Sequence, residues 1–419
     1  MLKNNTQDPI IKNMITLASG TAGAQLLGLL FMPVVVRLYS PSDFGLLAIF
    51  TSILSLLEPF NTFRYTVAIP LPKLTQTAMN IVALSILLSL SMSVVLGLIL
   101  LIGSDYLFAL FSAEALAPYR WLLVIGLFSN GLYSTLLAWS TREKHFATIA
   151  KTKIQQSVSS TIVKVLFALL GYKPMGLLVA QVVSLSAGTR AMFSVSKEEF
   201  LTSKRFISKK RMIFLAKRYS HFPRYQIVSK VLLSFSVQLP LLFVAWMYDS
   251  AVTGQLSLAL MVLSLPVNLI GNTMGQAFYG EVAQIGRRNT ERIRSITHSL
   301  IKKLFWISLI PFLILLVGGE FLFSFIFGEQ WVLAGTFTSS LSLLLVSRFI
   351  SSPFVNLLNL YERQPLLLQI NLIRLLLMGL IFSLSTYYQV DVLTMIWGYS
   401  ISLSFHYLYT LKVILKSIH

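Results

Sequence analysis

No cysteine occurs among the 419 residues, which excludes disulfides, thiol catalysis and thiolate metal sites. Charge is also scarce: 12% of residues are charged, about half the share of an ordinary soluble domain. Acids are rarer still, 15 Asp and Glu against 34 Lys and Arg. The five histidines (145, 221, 298, 406, 419) show no metal-ligand spacing, and neither a phosphate-binding GxxxxGK[ST] nor a GxSxG nucleophile turn is present. The sequence therefore assigns no catalytic residue, no metal ligand and no ATP site.

Apolar residues fill the space, at 55% of the chain with a mean hydropathy of +0.75. One anchor cannot produce that average; many segments of about 20 residues must sit in lipid. The pattern predicts an all-α polytopic membrane protein with about twelve spans. The first six are 14–36, 44–69, 78–103, 118–140, 149–170 and 174–195; the second six are 222–247, 252–279, 302–327, 332–359, 366–388 and 392–414. The first stretch is too long for a signal peptide and lacks a small-x-small end, so it reads as a retained helix.

The net charge of +19 would suit nucleic acid, but its distribution argues against that partner. With the N-terminus placed in the cytoplasm, inner segments hold 24 basic residues and outer segments hold Arg37, Arg120 and Lys173. Such a bias is the signature of cytoplasmic loops beside anionic lipid, and it predicts both termini inside. Outer loops are short, the longest spanning 104–117, which leaves no external domain for an enzyme site.

The polar stretch between spans six and seven divides the chain into an N-terminal lobe (1–196), a basic cytoplasmic linker (197–220) and a C-terminal lobe (221–419). The linker reads equally as a solvated connection or as an interfacial helix. The halves share a pattern. Pro33, Tyr39, Gly45 and Pro59 are matched by Pro240, Tyr248, Gly254 and Pro266, with identical Tyr-to-Gly spacing. Repeats of an even number of spans have the same orientation, with a pathway expected between lobes.

Ionisable groups at membrane depth cost a few kcal/mol and need water or a partner. Arg64, Lys164, Lys230, Arg348 and Arg374 lie deep in predicted spans, whereas Arg190 and Arg224 sit near ends where they can snorkel. Polar neighbours follow helical spacing: Lys153, Ser157, Ser160 and Lys164; Lys230, Ser234 and Gln238; Arg348, Ser352, Asn356 and Asn359; Asn371 and Arg374; Asn268 and Asn272. Glu58 is the one clear acid at this depth, on a predicted stripe with Asn61, Thr62 and Tyr65. It reads either as a proton or cation coupling group or as a structural partner for an Arg such as Arg64. The surplus of positive charge predicts an anionic substrate carrying phosphate or pyrophosphate.

Four segments carry a family resemblance: LYSPSDFGL (38–46), RYTVAIPLPK (64–73), GQAFYGE (275–281) and FGEQWVLAG (327–335). They resemble the Wzx-type polysaccharide flippases of the MOP transporter superfamily. The resemblance implies a V-shaped pair of six-helix lobes that alternate between inward- and outward-open states. It implies transport of an undecaprenyl-pyrophosphate-linked oligosaccharide across the bacterial inner membrane. It also implies cationic cavity residues, for which Arg64, Lys164, Lys230, Arg348 and Arg374 are the candidates. Asn61, Gln238, Asn268, Asn272, Asn356, Asn359 and Asn371 are the candidate polar lining. No cofactor is expected beyond H+ or Na+ coupling at Glu58. Expected partners are the lipid-linked glycan, membrane lipids, and a polysaccharide polymerase and chain-length regulator. The alternatives are export of lipid II or a drug, or an embedded polymerase or ligase.

Overall fold

The structure, a computed structural model, describes residues 9–417 apart from 272–273, 276–277, 279–280, 283–284, 286–288, 356, 359–360 and 362. Asn272, Asn356 and Asn359 lie outside the described residues, and so does much of segment 275–281.

Helices account for nearly all described residues, and no strand occurs among them. We number them α1 (Pro9–Leu38), α2 (Pro41–Asn61), α3 (Thr75–Ala109), α4 (Arg120–Arg142), α5 (Phe146–Leu169), α6 (Lys173–Ser186) and α7 (Thr189–Val195). There follow α8 (Lys197–Ser203), α9 (Lys209–Arg218), α10 (Ile227–Met247) and α11 (Ser250–Pro266). The last are α12 (Thr290–Phe327), α13 (Val332–Ser351), α14 (Gln364–Tyr387) and α15 (Val392–Ser417). Among the described residues, nine helical stretches are long and apolar enough to cross a membrane. Helices also form at the other predicted spans; α5 and α15 are more polar, and α11 is shorter. Their outer faces suit lipid: Ile102 and Val317 are 91% and 87% exposed, an arrangement that water would penalise.

Helix starts follow local chemistry. Ser40 and Asp43 form a reciprocal capping box at α2, with Pro41 in the first turn where its missing N–H costs nothing. Asp249 caps α11 by accepting from Val252 N at 2.7 Å. Gly328, at φ 105°, ends α12 and opens the turn into α13. In that hairpin the backbones touch: a Cβ on Gly335 would lie 2.5 Å from the Gly319 carbonyl oxygen, so both positions require glycine.

In three expected spans the α-helix stops early. The second was expected to run to 69, but α2 stops at Asn61 and is followed by a turn and a 3-10 segment, Tyr65–Ala68. Pro59, two residues from that end, therefore marks a terminus rather than a mid-helix kink. Thr62 and Tyr65 are not on a helical stripe with Glu58. In the eighth span α11 stops at Pro266 and continues as a π turn, Val267–Gly271. In the tenth, α13 gives way to a 3-10 turn at Ser352, but the Ser352 N–H still donates to the Arg348 carbonyl, so these two keep their helical alignment.

The chain divides into two compact units, Met1–Leu242 and Phe243–His419. Segment 197–220 belongs to the first, as helices packed on α3 and α4. Trp139 Nε1 donates to Glu199 at 3.1 Å, and its ring centre lies 5.0 Å from that of Phe200 at a tilt of 34°. Within the first unit α4 packs on α2, α3 and α6, and α5 packs on α6. Within the second, α13 packs on α11, α12 and α15, and α14 on α15. The same pairings recur in the same order. The repeat-related tyrosines do likewise. Tyr39 donates to the Lys164 carbonyl at 2.6 Å near the end of α5, and Tyr248 to the Val390 carbonyl at 2.9 Å just beyond α14. Burial, reinforced by Asp43, pushes the Tyr39 hydroxyl up to about 12; burial, reinforced by Asp391, raises that of Tyr248. Both stay protonated donors.

Candidate substrate-binding site

In the first unit the site grows from the end of α2. Asn61 is buried and donates from Nδ2 to the Leu127 carbonyl at 2.7 Å, tying the end of α2 to α4. Phe63 and Arg64 then adopt left-handed backbone, at φ 48° and 62°. Non-glycine residues pay about 1–2 kcal/mol each for that conformation, so the surrounding structure must hold it. The 3-10 turn and the Tyr65 hydroxyl, which donates to Ala216 O at 2.9 Å, provide that hold.

This turn aims Arg64 back at α2. Arg64 Nη1 lies 3.5 Å from Glu58 Oε1, and Lys230 Nζ from α10 lies 3.5 Å from Glu58 Oε2. One carboxylate thus faces two cations, a cluster of net charge +1. The three side chains are 26–37% exposed, so water screens each pair. A cavity of about 390 Å³ adjoins, lined by Glu58, Asn61, Thr62, Arg64, Asn130 and Ser134 among others. Its walls combine hydroxyl and amide groups with the apolar Val67, Pro70, Leu137 and Ala138, which suits a guest with both hydroxyl groups and apolar faces.

Other predicted polar positions of this unit make contacts between helices. Gln238 accepts from Ser52 at 3.4 Å, which joins α10 to α2. On α5 the expected polar stripe serves packing. Ser157 donates to Ala24 O of α1 at 2.9 Å, and the Lys153 ammonium lies 5.2 Å from the Tyr133 ring centre. Lys164 is half-buried and forms no ion pair among the described residues.

The second unit holds its own cations. Arg348 is in the last turn of α13, and Arg374 is on α14 one turn after the half-buried Asn371. The Arg374 guanidinium lies 5.9 Å from the Tyr407 ring centre, and its buried Nε has no hydrogen-bond partner among the described residues. Tyr399 is buried on α15, the helix against which both α13 and α14 pack. No carboxylate pairs with either arginine among the described residues. His406 is buried beside them, with Nε2 2.9 Å from Ile370 O. Asn268 sits exposed on the π turn after α11. Arg190 and Arg224 are both exposed, near helix ends.

Sequence reasoning missed Asn130, Ser134, Tyr399, His406 and Tyr407. A signal exists for each group. Asn130 and Ser134 are four apart on α4 and hydrogen-bonded at 3.1 Å. Tyr399, Leu403, His406 and Thr410 follow the i, i+4, i+7, i+11 stripe and are all buried.

Solved structures share this architecture. The lipid II flippase MurJ in an inward closed conformation matches with TM-score 0.70 at 14% identity, covering 96% of this chain and 89% of that one. An inward-facing multidrug resistance MATE family transporter of the MOP superfamily matches at 0.62 and 15%, covering 96% and 94%. A MOP superfamily transporter from Pyrococcus furiosus, described as having a binding pocket of reverse polarity, matches at 0.56 and 15%, covering 98% and 95%. These likenesses establish the MOP transporter fold. No curated protein matches the chain in sequence. The family model described as "Polysaccharide biosynthesis protein" matches residues 34–334, which is most of the chain. The chain is thus a multi-pass membrane protein with the fold of MOP superfamily transporters, and it belongs to the polysaccharide biosynthesis protein family.

Proposed function

We propose that this protein is a flippase for undecaprenyl-pyrophosphate-linked oligosaccharide repeat units, moving them from the cytoplasmic to the periplasmic leaflet of the bacterial inner membrane by alternating access. The observation that carries the reading is the charge of the polar groups within the membrane helices and at their ends. Arg64 and Lys230 share a single carboxylate, and Arg348 and Arg374 have none among the described residues. An uncompensated cation well inside a membrane helix, as Arg374 is on α14, costs about 2.5–3.5 kcal/mol by insertion scales, and a chain retains it where an anion repays that cost. Guanidinium groups match phosphate oxygens in geometry as well as charge.

The pyrophosphate is held by these cations while sugars meet the amide and hydroxyl walls beside Glu58, and the polyprenyl tail stays in lipid. Glu58 is the coupling group of this reading: taking up H+ or Na+ releases Arg64 and Lys230 to the substrate. A cationic drug would meet repulsion at the same positions.

The test is surface polysaccharide in a strain dependent on this chain. Arg348→Ala and Arg374→Ala should each abolish export while the protein still inserts in the membrane. Normal surface polysaccharide in both variants rejects the assignment.

A further inference from the structure

Helix α9 carries five basic side chains in ten residues and no acid. Its inner side is Met212, Leu215 and Ala216, packed with Ala78, Ile81 and Val82 of α3. At 100° per residue the opposite side presents Lys210, Ile213, Phe214 and Lys217, flanked by Arg211 and Arg218. All six are exposed, with Ile213 at 49% and Phe214 at 62%. At about 15 Å the helix is too short to cross a bilayer. It packs on the first turns of α3, beside the ends of α2 and α4, so it lies at one end of the unit's membrane helices. Bulky apolar groups set among lysines and arginines at that level match an anionic membrane interface, where stems and rings enter the acyl boundary and charges meet phosphates.

The helix is also wired to the site. Asn80 of α3 brackets its start, donating to Phe206 O at 3.0 Å and accepting from Ser208 N at 2.9 Å. Near its end, Ala216 O receives the Tyr65 hydroxyl at 2.9 Å. Tyr65 directly follows Arg64, whose left-handed backbone needs external support.

We propose that α9 docks on anionic lipid headgroups of the cytoplasmic leaflet, and that this docking, through the Tyr65–Ala216 hydrogen bond, holds the Arg64 turn in its ion-pairing geometry. The docking stands on the helix alone. The consequence for transport rests on the flippase reading.

Amide hydrogen exchange of the full chain tests both parts without any substrate, so its outcome is independent of the transport assignment. The protein is compared in nanodiscs of phosphatidylcholine alone and of phosphatidylcholine with about a third phosphatidylglycerol. In the anionic discs amides 209–218 should exchange about fivefold more slowly or better, and amides 64–69 should slow with them. Combining Lys210→Gln, Lys217→Gln and Ile213→Ser should remove both effects. Tyr65→Phe should keep the protection of 209–218 and lose that of 64–69. Equal exchange in the two discs overturns the docking. Equal protection by soluble heparin in neutral discs also overturns it, since the helix would then read bare negative charge, as in nucleic acid or an acidic protein. Unchanged protection of 64–69 in Tyr65→Phe overturns the link.

Discussion

Glu58 holds Arg64 and Lys230 at 3.5 Å each, and the partial exposure of all three limits either pair to about 1 kcal/mol or less. The carboxylate is therefore easily exchanged for a better anion. Binding of a soluble isoprenoid pyrophosphate, measured by calorimetry in detergent, should respond with opposite signs. Glu58→Gln frees two cations and should tighten binding about fivefold, whereas Arg64→Gln should weaken it about tenfold, the worth of a charge-assisted hydrogen bond. Weakening by both would mean that Glu58 contacts the ligand favourably or only props the turn. Glu58 and Arg64 were legible from the sequence because ionisable groups stand out in apolar surroundings. Their contact was legible only as one of two options, since it depends on a left-handed backbone at Phe63 and Arg64, and no glycine announces it. Asn130 and Ser134 were passed over because amides and hydroxyls on a membrane helix look the same whether they line a cavity or bond a neighbouring helix.

Among the elements, the repeat is the feature that sequence and structure describe in common terms. The Tyr-to-Gly spacing after spans one and seven becomes a capped helix start in each unit, at Ser40 and Asp249. Each preceding tyrosine pins the end of the fifth helix of its own repeat. Tyr39→Phe and Tyr248→Phe should each cost about 1 kcal/mol, the usual net worth of such a bond. The double variant should be additive because the two bonds share no partner. Thermal unfolding in detergent measures this; strong non-additivity, or a loss in only one variant, would deny the equivalence. Helix ends were less legible. Apolar residues Tyr65, Val67 and Ile69 continue the hydropathy of α2 beyond its true end at Asn61, and a proline near a terminus reads like one inside a helix. The α5 stripe misled in another way: Ser157 was free to face a cavity or α1, and spacing alone does not say which.

For the whole molecule, hydropathy sufficed for the fold class because lipid demands long helices that satisfy their own backbones. The basic residues between spans are the ground for the expected orientation, and the sign of those within spans is the ground for the proposed anionic cargo. No such signal reaches the identity of the sugars in the proposed cargo, since walls of mixed hydroxyl, amide and apolar groups accept many glycans. The central claim is that the cations within and at the ends of the membrane helices serve a phosphate-bearing lipid in transit. It is tested most directly in proteoliposomes holding the purified chain and a fluorescent glycan on undecaprenyl pyrophosphate, with a membrane-impermeant quencher added outside. The account predicts that quenching exceeds the half accessible in empty liposomes, and that Arg64→Ala with Arg374→Ala returns it to that level. Equal quenching in wild-type, double-variant and empty liposomes would contradict it.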